Sequence, residues 1–139
     1  MLGRVGVKVR VDARPKTLFF QKIERADTSF HLLGWGGGTT DAQGILDPVV
    51  HTPESRTKKG EYNYGRTGDA ELDRLIDSAA SDMNTERRAR TIAEAQRMTM
   101  QRFYYLPLHR QMITWTARSN VTPVVMPDNA VRGAWFKVD

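Results

Sequence analysis

Gly6-Val7-Lys8-Val9-Arg10-Val11, then Pro15 and a helical run ending near Ala26, then Phe30-His31-Leu32-Leu33-Gly34-Trp35: the fold class expected of this chain rests on its first 35 residues. Val7, Val9 and Val11 alternate with Lys8, Arg10 and Asp12, the period of two expected of a strand with one buried face. Pro15 suits the first turn of a helix, and Leu18, Phe19, Lys22 and Ile23 recur at helical spacing, so a helix is expected over residues 15–26. Phe30, Leu32 and Leu33 run into Gly34 and Trp35 as a second strand that ends in a glycine-rich turn. About fifteen residues separate the two strands, enough for a crossover and too many for a tight hairpin, so they are expected to be parallel and right-handed. The fold class read from this unit is α/β.

Working outward, residues 36–68 are rich in Gly, Thr, Lys and Pro, with a short helix expected over residues 45–50 that stops near Pro53. A loop of this length in a compact domain is usually a binding loop or a segment that packs against something else, and it is read here as the first. Asp69 is placed to cap a helix over residues 70–81 whose buried stripe is Leu72, Leu75, Ile76 and Ala79. Asn84 or Thr85 caps the next helix, in which Ala89, Ile92, Ala93, Met100 and Phe103 fall on or near one face, and the two helices are expected to pair as a hairpin. Pro107 ends that helix. Residues 105–115 then alternate as a third strand with apolar residues on both faces, the pattern of a strand internal to a sheet. Beyond Ser119, Pro123, Pro127, Asp128-Asn129 and Gly133 break the apolar stretches, leaving a tail with no evident place in the preceding domain.

With 139 residues, 40% hydrophobic and 27% charged, the chain has the composition of one globular domain. It has no cysteine, which removes disulfides, thiolate metal sites and a cysteine nucleophile. There is no apolar run long enough for a membrane span, and Met-Leu-Gly-Arg-Val-Gly lacks the apolar core of a secretory signal. The net charge of +5 raises a nucleic-acid partner, but only residues 56–59 and 87–90 are locally dense in cations, the pattern of solvated faces. His31, His51 and His109 stand too far apart for a metal motif. The glycine run lacks the Gly-Lys-Ser/Thr ending of a phosphate loop, and Ser29, Ser55, Ser78, Ser81 and Ser119 show no nucleophile elbow. No enzyme class, metal or cofactor is suggested.

Four segments in order carry a resemblance. They are Gly6-Val7-Lys8-Val9-Arg10-Val11 with its helix and Phe30-His31-Leu32-Leu33-Gly34-Trp35; the loop running to Asp41; Tyr62-Asn63-Tyr64-Gly65-Arg66 with Asp69-Ala70-Glu71-Leu72-Asp73-Arg74-Leu75-Ile76; and the helix from Arg87 through Arg97 ending at Tyr104-Tyr105-Leu106-Pro107-Leu108-His109. Together they resemble the C-terminal part of the larger lobe of family 5 solute-binding proteins, extracytoplasmic proteins that bind peptides, nickel complexes and related solutes for ABC importers. The resemblance implies part of a type II-like periplasmic binding fold: a βαβ unit, a helical hairpin and a returning strand. Complete members are several times longer, so it also implies a fragment, in which residues 1–116 belong to the larger ligand-binding lobe and residues 117–139 return to the first lobe. It implies further a periplasmic location, with the signal peptide absent from this chain. The implied partners are the membrane permease subunits, the missing N-terminal lobe and a small peptide or related solute; the apolar tail from Val121 onward is expected to pack against a second copy or a neighbouring sheet edge, and the scattered charge argues against nucleic acid. The alternative is a basic structural or interaction module binding nucleic acid or protein.

In such proteins the solute lies between two lobes that close over it. The resemblance places the turn after Trp35 at that cleft, where the indole can cover a peptide and the backbone of Gly36, Gly37 and Gly38 can approach closely. Many peptide binders of the family carry, three residues after the tryptophan, an aspartate that pairs with the solute's α-ammonium group; here that position is Gly38. Asp41 either serves a cationic ligand or caps the helix near Ile45, and the residues leave both readings open. Asn63, Tyr64 and Arg66 carry groups suited to a solute backbone or carboxylate, although Asn63 also suits an ordinary turn. His109 either faces the cleft near the hinge or is a buried, hydrogen-bonded histidine.

Overall fold

A computed structural model describes residues 2–36, 41–126 and 128–139; Gly37 and Gly38 of the expected turn and Pro127 of the tail lie outside the described residues. The chain forms two compact units, Met1–Leu33 and Gly34–Asp139.

In the first unit a 3-10 turn, Leu2–Val5, precedes helix α1, Lys16–Glu24. Pro15 sits at the N-cap with φ −55°, and its carbonyl accepts the Phe19 N–H at 3.0 Å. Pro15 thus stands one residue before the first helical residue, where its missing N–H leaves no helical hydrogen bond unmade. Of the expected face, Ile23 is buried, Phe19 and Lys22 are half-buried, and Leu18 is exposed. Lys22 bridges Asp12 (3.3 Å) and Asp27 (3.2 Å), tying together the approaches to the two ends of α1.

The expected strand over residues 7–11 is not formed among the described residues, and residues 30–33 are also without regular structure. The reason is physical: a strand exists through the hydrogen bonds of its neighbours, and a period-two pattern alone supplies none. Val7, Val9 and Val11 are exposed instead.

The second unit is built on a helical hairpin. α2, Gln43–Ile45, runs directly into a π-helical turn, Leu46–Val50, and the hairpin itself is α3, Ala70–Ser81, with α4, Thr85–Gln101. Asp69 caps α3, its Oδ1 accepting the N–H groups of Glu71 (3.0 Å) and Leu72 (3.2 Å). Asn84 caps α4, its Oδ1 accepting the Arg87 N–H at 2.9 Å. Leu46, Val49 and Val50 from the π turn, Leu72 and Ile76 from α3, and Ala95 and Met98 from α4 form one core, with Leu75, Ile92, Tyr104 and Tyr105 packed around it. The α4 stripe is therefore Ile92, Ala95 and Met98. Ala89, Ala93 and Met100 sit on exposed faces, and Phe103 falls past the end of the helix at φ +56°.

The expected third strand, residues 105–115, is likewise without sheet pairing among the described residues, and Leu106, Leu108, Met112 and Ile113 are exposed. The tail does find local order. β1, Val121–Thr122, pairs antiparallel with β2, Lys137–Val138. Trp115 adds an edge contact to Phe136 (6.3 Å between ring centres) and an N–H bond to Asn129 Oδ1 (2.9 Å).

Candidate functional site

Trp35 is 37% exposed at the start of the second unit, and its indole N–H donates to the Gly44 carbonyl at 3.1 Å. At the far end of the glycine segment, Asp41 Oδ1 accepts the Gln43 N–H at 2.9 Å. Both ends of the segment are therefore pinned to the same turn of α2. Asp41 thus accepts a backbone N–H at the start of α2, although the N-cap residue itself is Ala42, and its other oxygen lies 2.7 Å from Arg88 Nη1. The Arg88 guanidinium, followed by the Gln43 N–H, holds the Asp41 carboxyl below its ordinary value.

The sequence singled out Trp35 and Tyr64 but not the residue between them. Tyr62 is 39% exposed, with its ring centre 5.1 Å from that of Trp35 and 6.2 Å from that of Tyr64. The three rings form an aromatic row. It is fixed by the backbone: Tyr62 N–H donates to the Pro48 carbonyl (2.8 Å), Gly60 N–H to the Asp47 carbonyl (2.9 Å), and Gly60 takes φ +61°. A Cβ on Gly60 would stand 2.3 Å from the His51 carbonyl, so only glycine fits this crossing of backbones. The available signal was the alternation Tyr62-x-Tyr64 downstream of an isolated tryptophan.

Asn63 points the other way. It is 3% exposed, and its Nδ2 donates to the carbonyls of His51 (3.0 Å) and Thr67 (2.9 Å), while Tyr105 OH lies 3.3 Å from its Oδ1. Its amide is committed to closing the loop. Gly36 is exposed, Arg66 is exposed with φ +51°, and His109 is exposed rather than buried.

A polar cluster missed by sequence reasoning lies beneath the same loop. His51 is 6% exposed; its Nδ1 is 2.8 Å from the Thr52 carbonyl, and its Nε2 is 3.4 Å from Asp77 Oδ1. Asp73 Oδ1 accepts the Thr52 N–H (2.9 Å), Thr52 Oγ1 accepts the Asp69 N–H (3.3 Å), and Lys59 pairs with Asp77. Asp69, Asp73 and Asp77 are four residues apart, one ridge along α3, and that spacing was the overlooked signal. The loop expected to bind is in large part stapled to this ridge.

No group of three or more His, Asp or Glu side chains that could hold a metal ion occurs among the described residues. Among them, too, no helix is long and apolar enough to cross a membrane.

The chain is 25% identical over 127 residues to the peptide transport periplasmic protein SapA of Haemophilus influenzae, an alignment that covers 90% of this chain. It spans 22% of that relative's length. No protein-family profile matches the chain, and no solved structure matches it significantly.

Proposed function

We propose that this chain is part of the solute-binding component of an ABC importer, contributing one wall of a cleft that takes up a peptide or related small solute. The observation that carries the reading is the row Trp35, Tyr62 and Tyr64, in which Trp35 and Tyr62 are exposed and Tyr64 is half-buried, on a loop hydrogen-bonded to the helical hairpin beneath it. Aromatic faces of this kind cover peptide backbone and apolar side chains at little cost in side-chain entropy. The similarity to a periplasmic peptide transport protein supports it.

On this reading the chain is a portion of the larger lobe of a type II-like periplasmic binding fold. Residues 7–11 and 105–115, patterned as strands yet unpaired, are sheet elements whose hydrogen-bonding neighbours belong to the rest of that lobe. Its partners are the remainder of the same protein and the membrane permease subunits. Solute capture involves no bond making or breaking.

The nucleic-acid alternative gains little from the cations of α4. Arg87 pairs with Asp82, Arg88 with Asp41, Arg90 with Glu86, Arg97 with Glu94, and Arg102 with Asp69 and Glu71. Phosphate binding needs uncompensated positive charge and falls steeply with salt. Calorimetry of small peptides against this chain and against a longer polypeptide carrying both lobes tests the proposal. Weak binding by the chain and tight binding by the longer protein is the expected result; equal affinities would refute a two-walled cleft.

A further inference from the structure

Arg88 reaches from α4 to the two ends of this local structure that matter for charge. Its Nε–H donates to the Ala79 carbonyl in the last turn of α3 at 3.0 Å, and its NH1 lies 2.7 Å from Asp41 Oδ2. The guanidinium is thus oriented by a backbone carbonyl before it meets the carboxylate, and its side chain is largely covered, 27% exposed. Asp41 Oδ1 is engaged in turn by the Gln43 N–H at 2.9 Å. Both carboxylate oxygens are committed within the protein. The Arg88 guanidinium lowers the Asp41 pKa and balances the carboxylate's charge locally.

We propose that Arg88 sets the charge preference of the Trp35 wall: by holding the Asp41 carboxylate it withdraws that anion from solute, so the wall favours peptides whose end is uncharged over those presenting an α-ammonium group. This rests on the reading of Trp35, Tyr62 and Tyr64 as one wall of a peptide cleft. An ammonium ion approaching Asp41 has to displace a guanidinium that is anchored twice, whereas an apolar side chain or an acylated amine stacks on the rings without disturbing the pair. Arg88 acts here through Asp41, as a positioning residue.

The test is a titration of the whole 139-residue chain, followed by the NMR signal of the Trp35 indole N–H, with Gly-Phe-Gly and with N-acetyl-Gly-Phe-Gly. For the native chain the acetylated peptide binds at least as tightly as the free amine. Arg88→Gln, which keeps a donor for the Ala79 carbonyl but removes the charge, shifts the ratio of the two dissociation constants toward the free amine by about fivefold, the worth of one exposed charge pair. Adding Asp41→Asn to that variant abolishes the shift. Arg88→Met, which keeps the aliphatic stem packed, reads the same ratio should Arg88→Gln fold poorly. Binding of both peptides with a ratio that neither Arg88 substitution moves overturns the role of Arg88 and leaves the cleft wall standing. No indole shift with either peptide in any variant removes the wall itself, and the charge preference with it.

Discussion

Asn63 Nδ2 donates to the carbonyl of His51, twelve residues earlier in the chain, at 3.0 Å, with both residues buried. One side-chain amide thereby closes the loop that carries Tyr62, the middle ring of the aromatic row. Replacing Asn63 by Leu leaves the carbonyls of His51 and Thr67 without that donor and brings no compensating bond. A loss of about 2–3 kcal/mol is expected in urea unfolding of the chain.

Gly60 is the second closure of that loop. Gly60→Ala sets a methyl group against the His51 carbonyl and the Pro53 nitrogen, at 2.3 and 2.8 Å, in a conformation with φ +61°. The expected cost is about 2 kcal/mol or more, combining αL strain with the clash. Because Tyr62 lies only two residues on, the Trp35 to Tyr62 contact should loosen as well, visible as a shift of the Trp35 indole resonance.

The helical hairpin answers to cavities. Ile76 is fully buried between α3, α4 and the π turn, and Ile76→Ala should destabilise the second unit by about 3 kcal/mol. Met83, exposed in the turn between α3 and α4, is the matched control, and Met83→Ala should change stability by less than about 0.5 kcal/mol.

Acid should loosen the unit through three carboxylates. Burial works to raise the Asp69 carboxyl, but the N–H groups of Leu72 and Glu71 and nearby Arg102 outweigh it, so its pKa falls below the ordinary 3.8. Arg87 and the Asn84 N–H lower Asp82, and Arg88 and the Gln43 N–H lower Asp41. A carboxyl whose folded pKa is depressed contributes stability above its unfolded value and loses that contribution as pH falls through the folded value. Stability should therefore hold from neutral pH down to about 4 and then decline. Asp69→Asn, which keeps a capping oxygen, should flatten that decline at little cost at neutral pH; an unchanged acid profile would show that Asp69 is not coupled to folding.

The legibility of this chain follows the range of its interactions. The helical hairpin was readable because its determinants are local: Asp69 and Asn84 cap within three residues, and Leu72, Ile76 and Ala79 repeat at helical spacing. The stripe on α4 was misread because Ala89, Ala93 and Met100 are apolar without being turned toward α3, and rotation about a helix axis is set by packing. At residues 7–11, 30–35 and 105–115 a strand pattern is legible but no strand forms among the described residues, because a strand needs hydrogen-bonded neighbours that a pattern alone does not supply. For the candidate site, Trp35 and Tyr64 were legible as aromatics near glycine. The pairing of Asp41 with Arg88, 47 residues apart, and the burial of Asn63 and His51 depend on contacts that only the folded loop brings together.

The central claim is that Trp35, Tyr62 and Tyr64 form one wall of a peptide-binding cleft. Mapping the amide and indole shifts of the 139-residue chain on addition of N-acetyl-Gly-Phe-Gly tests it most directly. The changes should concentrate on the Trp35 indole, Gly36, Tyr62 and Tyr64, while Met83 and the solvent-facing arginines of α4 stay still. Shifts confined to α4, or none at the aromatic row up to millimolar peptide, would contradict it.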